Sequence, residues 1–140
     1  MSEIYFSDSF GGKEPLTNFE WLKERIFNGD DNFWEGVTGD CGLNYSDGWT
    51  SSALALIGRE KFGFMLEYSN FETNENAYTL RGDECGQQIV EVETAGEPKN
   101  YYKKYFVPKE VAWQAIKYFL TMGERDPSLT WEVADYPKQS

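Results

Sequence analysis

The sequence predicts an α+β fold: a mostly antiparallel sheet packed by an N-terminal and a C-terminal helix, with a final short strand after the C-terminal helix. Three observations predict it. Several segments alternate apolar and polar residues, one segment towards each terminus repeats apolar residues at helical spacing, and a very short corner joins the second helix to the last strand. The length of 140 residues, with 40% hydrophobic and 17% aromatic residues, predicts a single domain over residues 1–140.

The first helix is predicted to begin at Asn18. Thr17 and Glu20 have the spacing of a capping box, in which two side chains accept each other's backbone N–H groups. Gly29 is expected to end the helix in a left-handed backbone conformation. Apolar residues recur three and four positions apart, and the buried stripe they predict consists of Phe19, Leu22 and Ile26.

Most of the sheet is predicted from alternation. Residues 4–6 indicate the first strand, and residues 51–69 indicate a hairpin at the sheet centre that turns at 58–61. The second strand of this hairpin is expected to bury one face, made of Phe62, Phe64, Leu66 and Tyr68. Three further extended segments are 77–82, 87–94 and 101–108, with a turn at 96–98.

The C-terminal helix and its corner have the clearest signals. Pro108 suits the first turn, where its missing N–H costs nothing, and Gly123 suits the C-terminal cap. Pro127 prevents continuation, and residues 129–133 alternate as a last strand in which Leu129, Trp131 and Val133 share a side. Trp131 is expected to fill the interface between helix and sheet. The predicted apolar stripe of the helix consists of Val111, Ala112, Ala115, Ile116, Phe119 and Met122.

Negative charge is concentrated in the middle of the chain. The net charge is −11, and residues 26–98 contain fourteen acids against three bases, whereas the flanking segments together contain ten of each. The electrostatic field of so many acids repels nucleic acid and attracts a basic partner protein. The residues also show no signal peptide and no long apolar run, so the expected location is the cytoplasm, with no membrane contact.

Residues 28–49, NGDDNFWEGVTGDCGLNYSDGW, are predicted to form a loop with short strands. Aromatic side chains in such a loop either anchor it to the core or contact a partner. Acids beside aromatics suit a protein-binding patch, because aromatic anchors give affinity and charge gives orientation. The candidate partner-binding residues are five acids and three aromatics: Asp30, Asp31, Glu35, Asp40, Asp47, Trp34, Tyr45 and Trp49.

The absence of histidine from the sequence excludes several classes of chemistry. Ser-His-Asp and Cys-His catalysts need an imidazole, as do His-ligated zinc and haem sites. Cys41 and Cys85 form no CxxC pair and are predicted to be free thiols. We therefore expect no metal and no cofactor.

Chemistry by carboxylates alone stays open as an alternative. A hydrolase could use paired acids with or without a metal ion, and the candidate pairs are Asp30 with Asp31 and Glu91 with Glu93. Glu91 and Glu93 share a strand face, for which a solvated surface is the simpler explanation. The sequence favours a binding protein over an enzyme.

Residues 105–132 resemble the C-terminal signature of the Imm1 family of bacterial immunity proteins. That signature is a V-P-x-E-x-A helix leading into a corner of the form F-x-x-x-G-x-R-P-x-x-x-x-W. One departure is that Asp126 stands between Arg125 and Pro127, where the family pattern has proline directly after arginine. The matching residues are Val107, Pro108, Glu110, Ala112, Phe119, Gly123, Arg125, Pro127 and Trp131.

The resemblance implies an α+β protein without catalytic activity that neutralises a cognate bacterial toxin by binding it. Such toxins are often nucleic-acid deaminases, which need a basic groove for phosphates. The acidic middle segment would then face the toxin, and the signature helix would build the scaffold. A third possibility is a nucleic-acid mimic that binds many basic proteins.

Overall fold

The computed structural model describes residues 2–73, 75–82 and 87–139. In this part of the chain the helices are α1 (Phe19–Asn28), α2 (Asp31–Glu35) and α3 (Lys109–Met122), with a 3-10 helix at Lys103–Tyr105. The strands are β1 (Glu3–Ser7), β2 (Lys13–Pro15), β3 (Cys41–Ser46), β4 (Ser51–Arg59), β5 (Gly63–Asn70), β6 (Glu75–Leu80), β7 (Ile89–Thr94), β8 (Glu97–Tyr102) and β9 (Trp131–Val133).

The α+β prediction is confirmed. One antiparallel sheet has the strand order β2-β1-β3-β4-β5-β6-β9, and β7 and β8 form a separate hairpin. The strand β9 follows α3, as predicted, and it pairs with β6 at the edge of the sheet. In the described part of the chain, no helix is long and apolar enough to cross a lipid bilayer.

The hairpin of β4 and β5 lies at the centre of the sheet, as predicted. Its paired residues include Leu54 with Tyr68 and Leu56 with Leu66, and all four side chains are buried. The turn occupies residues 60–62 instead of 58–61. Phe62 therefore lies in the turn and leaves the face that the alternation predicted for it.

The two faces of the sheet carry separate apolar clusters. The helices cover one face, where Leu22, Ile26 and Ile116 pack with the buried residues of β4 and β5. Met65 lies between two residues of that face, so its side chain is on the other one. There it packs in a second cluster with Val92 of the small hairpin. The small hairpin therefore covers part of the sheet's far side.

Three details of the first helix differ from the prediction. Asn18, and not Thr17, caps it, because the Asn18 side chain accepts the N–H of Trp21 at 3.2 Å. Gly29 is extended and not left-handed, with φ −68° and ψ 149°, because the chain runs on directly into α2. Leu22 and Ile26 are buried as predicted, whereas Phe19, in the first turn, is 38% exposed.

Several other local predictions are wrong. Residues 103–105 form a 3-10 helix and not a strand. The turn of the small hairpin lies at 95–96, so residues 97 and 98 belong to β8. Met122 is 49% exposed, and Leu120 takes its place on the buried side of α3. Val133 is also exposed, because β9 lies at the edge of the sheet.

Asp126 builds the corner between α3 and β9. The residue is buried, and its Oδ1 accepts the N–H of Ser128 at 2.8 Å and the Ser128 hydroxyl at 2.7 Å. Its backbone carbonyl accepts the indole N–H of Trp131 at 3.0 Å, which fixes that side chain against the main cluster, as predicted. The residue that departs from the family pattern thus supplies most of the turn's hydrogen bonds.

Replacing Asp126 with alanine is expected to lower the free energy of unfolding by about 2 kcal/mol, since it leaves the Ser128 donors without their acceptor. Burial raises the pKa of Asp126, but hydrogen bonds from Ser128 and Gln114 outweigh it, so the pKa is lowered overall. Asp126→Asn keeps an acceptor oxygen and should lose less than half as much stability. Urea denaturation measures both variants, and equal losses would contradict the role assigned to the carboxylate.

Candidate protein-binding surface

The structure does not bring the eight predicted partner-binding residues together. Those on or near α2 lie by the end of β4 that carries Arg59, whereas Asp47 and Trp49 lie in the turn before Ser51. Because β4 has nine residues, its two ends are about 27 Å apart. The predicted acidic and aromatic segment is therefore divided between opposite ends of the sheet.

Two of the eight residues belong to the core, which corrects the prediction for them. Trp34 is 2% exposed, packs edge-on against Phe33 and Phe64, and donates its indole N–H to the Arg25 carbonyl at 3.1 Å. Tyr45 is buried against Phe119, and burial followed by the charge of Asp47 raises its pKa. Both aromatics anchor their segments to the core.

The acids near α2 mostly have structural partners. Asp30 caps the helix by accepting the N–H of Phe33 at 3.0 Å. Asp31 accepts the N–H of Glu60 at 2.7 Å, which ties α2 to the turn between β4 and β5. Glu35 lies 3.6 Å from Arg59 Nε, and Asp40 is exposed just before β3. Three of these acids, Asp30, Asp31 and Glu35, therefore hold local structure together, and Asp40 is the exposed acid of the four.

Arg59 is the residue whose role the sequence conceals, because it looks like an exposed turn residue. It is 6% exposed and donates to three carbonyl oxygens: Gly58 at 2.6 Å, Gly39 at 2.8 Å and Glu93 at 2.7 Å. It thereby ties the end of β4 to the segment before β3 and to the small hairpin.

Cys41 is a buried free thiol. Burial, followed by the charges of Asp40 and Asp8, raises its pKa to about 12. Cys85 lies outside the described residues.

At the other end of the sheet, exposed apolar side chains gather near Trp49. Trp49 is 88% exposed, Phe71 60% and Met122 49%. The Phe71 N–H donates to the Ser51 carbonyl at 2.9 Å, so the turn after β5 lies beside the turn that holds Trp49. We call this surface the turn-end patch; its residues are Asp47, Trp49, Phe71, Glu72, Met122 and Glu124.

The C-terminus of α3 is fixed against the same end of the sheet. Gly123 has a left-handed conformation with φ 70°, and its N–H donates to the Phe119 carbonyl at 2.7 Å. Its own carbonyl accepts the hydroxyls of Ser52 at 2.7 Å and Tyr68 at 3.2 Å. These bonds hold Met122 and Glu124 beside the two turns.

Acids surround the apolar side chains of the turn-end patch. Glu72 and Glu124 are exposed. Asp47 Oδ1 accepts the N–H of Thr50 at 2.7 Å and of Trp49 at 2.8 Å, and these bonds lower its pKa. Asp47 therefore stays ionised and also fixes the backbone that presents Trp49. Arg125 follows Glu124, with its guanidinium 3.8 Å from the centre of the Tyr78 ring.

No protein-family model and no curated protein matches the chain significantly. The resemblance to Imm1 proteins therefore remains a hypothesis carried by residues 105–132.

The acid pairs considered for hydrolysis lie on different parts of the surface. Glu91 and Glu93 are both exposed on β7, in agreement with a solvated strand face. Asp30 and Asp31 are engaged at the start of α2, as described above. Among residues 2–73, 75–82 and 87–139, no group of three or more Cys, Asp or Glu side chains has an arrangement that could hold a metal ion.

A second charged cluster surrounds Glu132, on the far side of the sheet from the helices. Its Oε1 accepts from Lys104 Nζ and from the Tyr105 hydroxyl, both at 2.9 Å, and its Oε2 lies 3.5 Å from an Arg81 nitrogen. The hydrogen bond from Lys104 is the main cause of its lowered pKa, and those from Tyr105 and the nearby charges add to it. The cluster joins β9 to the 3-10 helix.

This lowered pKa predicts a pH dependence of stability. Since the pKa of Glu132 is lower in the folded state than its usual value of 4.5, its contribution is present above pH 4.5 and is lost as the pH falls below it. Glu132→Gln should lower the urea midpoint at pH 7, and the difference from the native chain should shrink below pH 4.5. A difference that is constant between pH 7 and pH 3 would contradict an ionic contribution.

Proposed function

We propose that this protein is an immunity protein that binds a cognate bacterial toxin through the turn-end patch and so neutralises it. The observation that carries the proposal is the grouping of Trp49, Phe71 and Met122, all largely exposed, within a border of acids. Large apolar side chains exposed together at one end of a domain are typical of a site of interaction. Aromatic anchors give such a site its affinity, and surrounding charge gives it orientation.

A nucleic-acid deaminase is the class of toxin that best fits this chemistry. An enzyme acting on DNA or RNA presents a basic groove to phosphates and a pocket to the target base. The acids of the turn-end patch complement such a groove, and Trp49 can enter it as a base would. Binding there would block substrate access without any reaction by the inhibitor, and the complex would form in the cytoplasm, where the toxin meets nucleic acid.

The resemblance to Imm1 proteins supports the same proposal from a separate part of the chain. Its matching residues include Gly123, at the end of α3, and Trp131, at the corner. These residues form the junction that places Met122 and Glu124 in the turn-end patch. The signature thus serves the scaffold, and the residues that would select one particular toxin lie outside most of it.

Co-expression with a toxin domain found in a gene next to that of this protein tests the proposal. We expect the native chain to restore growth of a bacterial host that expresses the toxin, and to form a complex with it in pull-down. The two alternatives predict different results. A nucleic-acid mimic would bind unrelated basic proteins as tightly, and a hydrolase would show turnover in the pure protein. Absence of both rescue and complex would contradict an immunity function.

The charge of the turn-end patch is tested by association kinetics. Reversing Glu72 and Glu124 to lysine should lower the association rate constant with the toxin by about tenfold or more at low salt, with a smaller effect at high salt. Asp47 is left unchanged because its carboxylate holds the backbone of Trp49 and Thr50. The matched control reverses Glu91 and Glu93, which are exposed on the small hairpin and change net charge equally. Equal effects in the two double variants would place the contact elsewhere.

A further inference from the structure

A large cleft opens on the side of the molecule away from the turn-end patch. It lies among the end of α1, the turn after β4, the 3-10 helix and the start of α3, and its volume is about 940 Å³. That volume lies within the range of small-molecule sites in proteins, about 300–1,000 Å³. No step of the proposed function uses this cleft.

The lining of the cleft is basic, although the protein has a net charge of −11. Five basic residues line it, against the two acids Glu60 and Glu110. Lys104 is paired with Glu132 at 2.9 Å. Lys61 and Lys109 are exposed, and Lys109 Nζ donates to the Phe27 carbonyl at 3.3 Å. The basic residues that line the cleft are Arg59, Lys61, Lys103, Lys104 and Lys109.

Hydrogen-bond donors of the backbone and of the buried Arg59 side chain add to the positive charge of the cleft. Pro108, at the N-cap of α3, gives the helix no side-chain cap, and Pro108, Lys109 and Glu110 all line the cleft. The uncapped N–H groups at a helix N-terminus favour an anion. In addition, Arg59 Nε is buried and makes no hydrogen bond within the described structure, although Glu35 Oε1 lies 3.6 Å from it.

Aromatic rings form the apolar part of the same cleft. Phe27 and Phe62 line it, with Trp34, Phe64 and Phe106. The ammonium groups of Lys109 and Lys61 lie over the rings of Phe27 and Phe62, at 5.7 and 5.4 Å from their centres. Cationic groups are therefore held directly beside an apolar wall.

We propose that this cleft binds a small ligand in which a phosphate group is joined to an aromatic ring, as in a nucleoside phosphate. Several lysines around one cavity match a multiply charged phosphate better than a single carboxylate, since each ammonium acts as a point charge. The ring of the ligand packs on the phenylalanine side chains. Such binding would be a property separate from neutralisation of a toxin.

Isothermal titration with ADP in the absence of magnesium, at low ionic strength, tests this site. ADP should bind about tenfold or more tightly than adenosine, which lacks the charge, and than pyrophosphate, which lacks the ring. The double substitution K61E and K109E should weaken ADP binding at least tenfold. The control K99E and K117E changes net charge equally at exposed lysines that do not line the cleft, and it should bind as the native chain does.

Three results would overturn the proposal: no binding of ADP at millimolar concentration, equal loss in the two double variants, or tighter binding of polyglutamate than of ADP. The last would identify the cleft as a site for an acidic polypeptide. Circular dichroism checks that each variant is folded. Binding of the toxin by the K61E and K109E variant should be unchanged, so failure of this proposal and failure of the immunity function are distinguishable.

Discussion

Replacing Arg59 with methionine is expected to lower the free energy of unfolding by about 3 kcal/mol. The guanidinium group donates to carbonyl oxygens of Gly58, Gly39 and Glu93, and each buried acceptor that loses its donor costs about 1 kcal/mol or more. Methionine keeps much of the apolar stem, so the loss reports chiefly on the hydrogen bonds. Urea denaturation followed by circular dichroism and by tryptophan fluorescence gives the value.

The control for this prediction is Lys61→Met in the same turn. Lys61 is exposed, and surface substitutions of this kind change stability by about 0.5 kcal/mol or less. A loss below about 1 kcal/mol for Arg59→Met would show that the three segments hold together without the guanidinium. A loss of about 3 kcal/mol confined to one spectroscopic probe would show instead that only the small hairpin detaches.

Under the proposed immunity function, the double substitution of Trp49 and Phe71 by alanine is expected to weaken toxin binding by two to three orders of magnitude. Two buried aromatic anchors in an interface contribute roughly 2 kcal/mol each, and about 1.4 kcal/mol corresponds to a factor of ten. Stability in the free protein should change little, because both side chains are more than half exposed. Titration calorimetry with the purified toxin domain measures the affinity.

The matched control is the double substitution of Phe10 and Val37 by alanine. These side chains are 57% and 68% exposed, and their segments meet near Ser9, whose carbonyl accepts the N–H of Val37 at 2.8 Å. The control should bind the toxin with native affinity. If it loses affinity while the Trp49 and Phe71 variant keeps it, the toxin contacts the other end of the sheet.

Helix α3 and the hairpin of β4 and β5 were predicted well because each prediction depends on residues that are close in sequence. The helix α3 needs only its apolar spacing and Gly123, and the hairpin of β4 and β5 needs only its alternation. The short helix α2 was missed because five residues give no helical period to detect. Residues 103–105 were included in a predicted extended segment, but they form a 3-10 helix between β8 and α3.

The candidate site was only partly predictable because its residues come from distant parts of the chain. Phe71 and Met122 reach Trp49 through strand pairing and through the bonds to Gly123, which sequence spacing does not reveal. Trp34 and Tyr45 occur in the same polar context as Trp49, and only the packed fold distinguishes them. An apolar residue in a polar turn, as in "SNFETNEN", is the signal that could have pointed to Phe71.

The margins of the sheet have a consequence for behaviour at high concentration. The outermost strands, β2 and β9, have three residues each, and β2 carries Lys13, Glu14 and Pro15. Edge strands that are short, charged or contain proline offer another chain few backbone groups for pairing. Such edge strands therefore disfavour the formation of fibres. We therefore expect these two edges to resist pairing between copies of the protein even at high concentration.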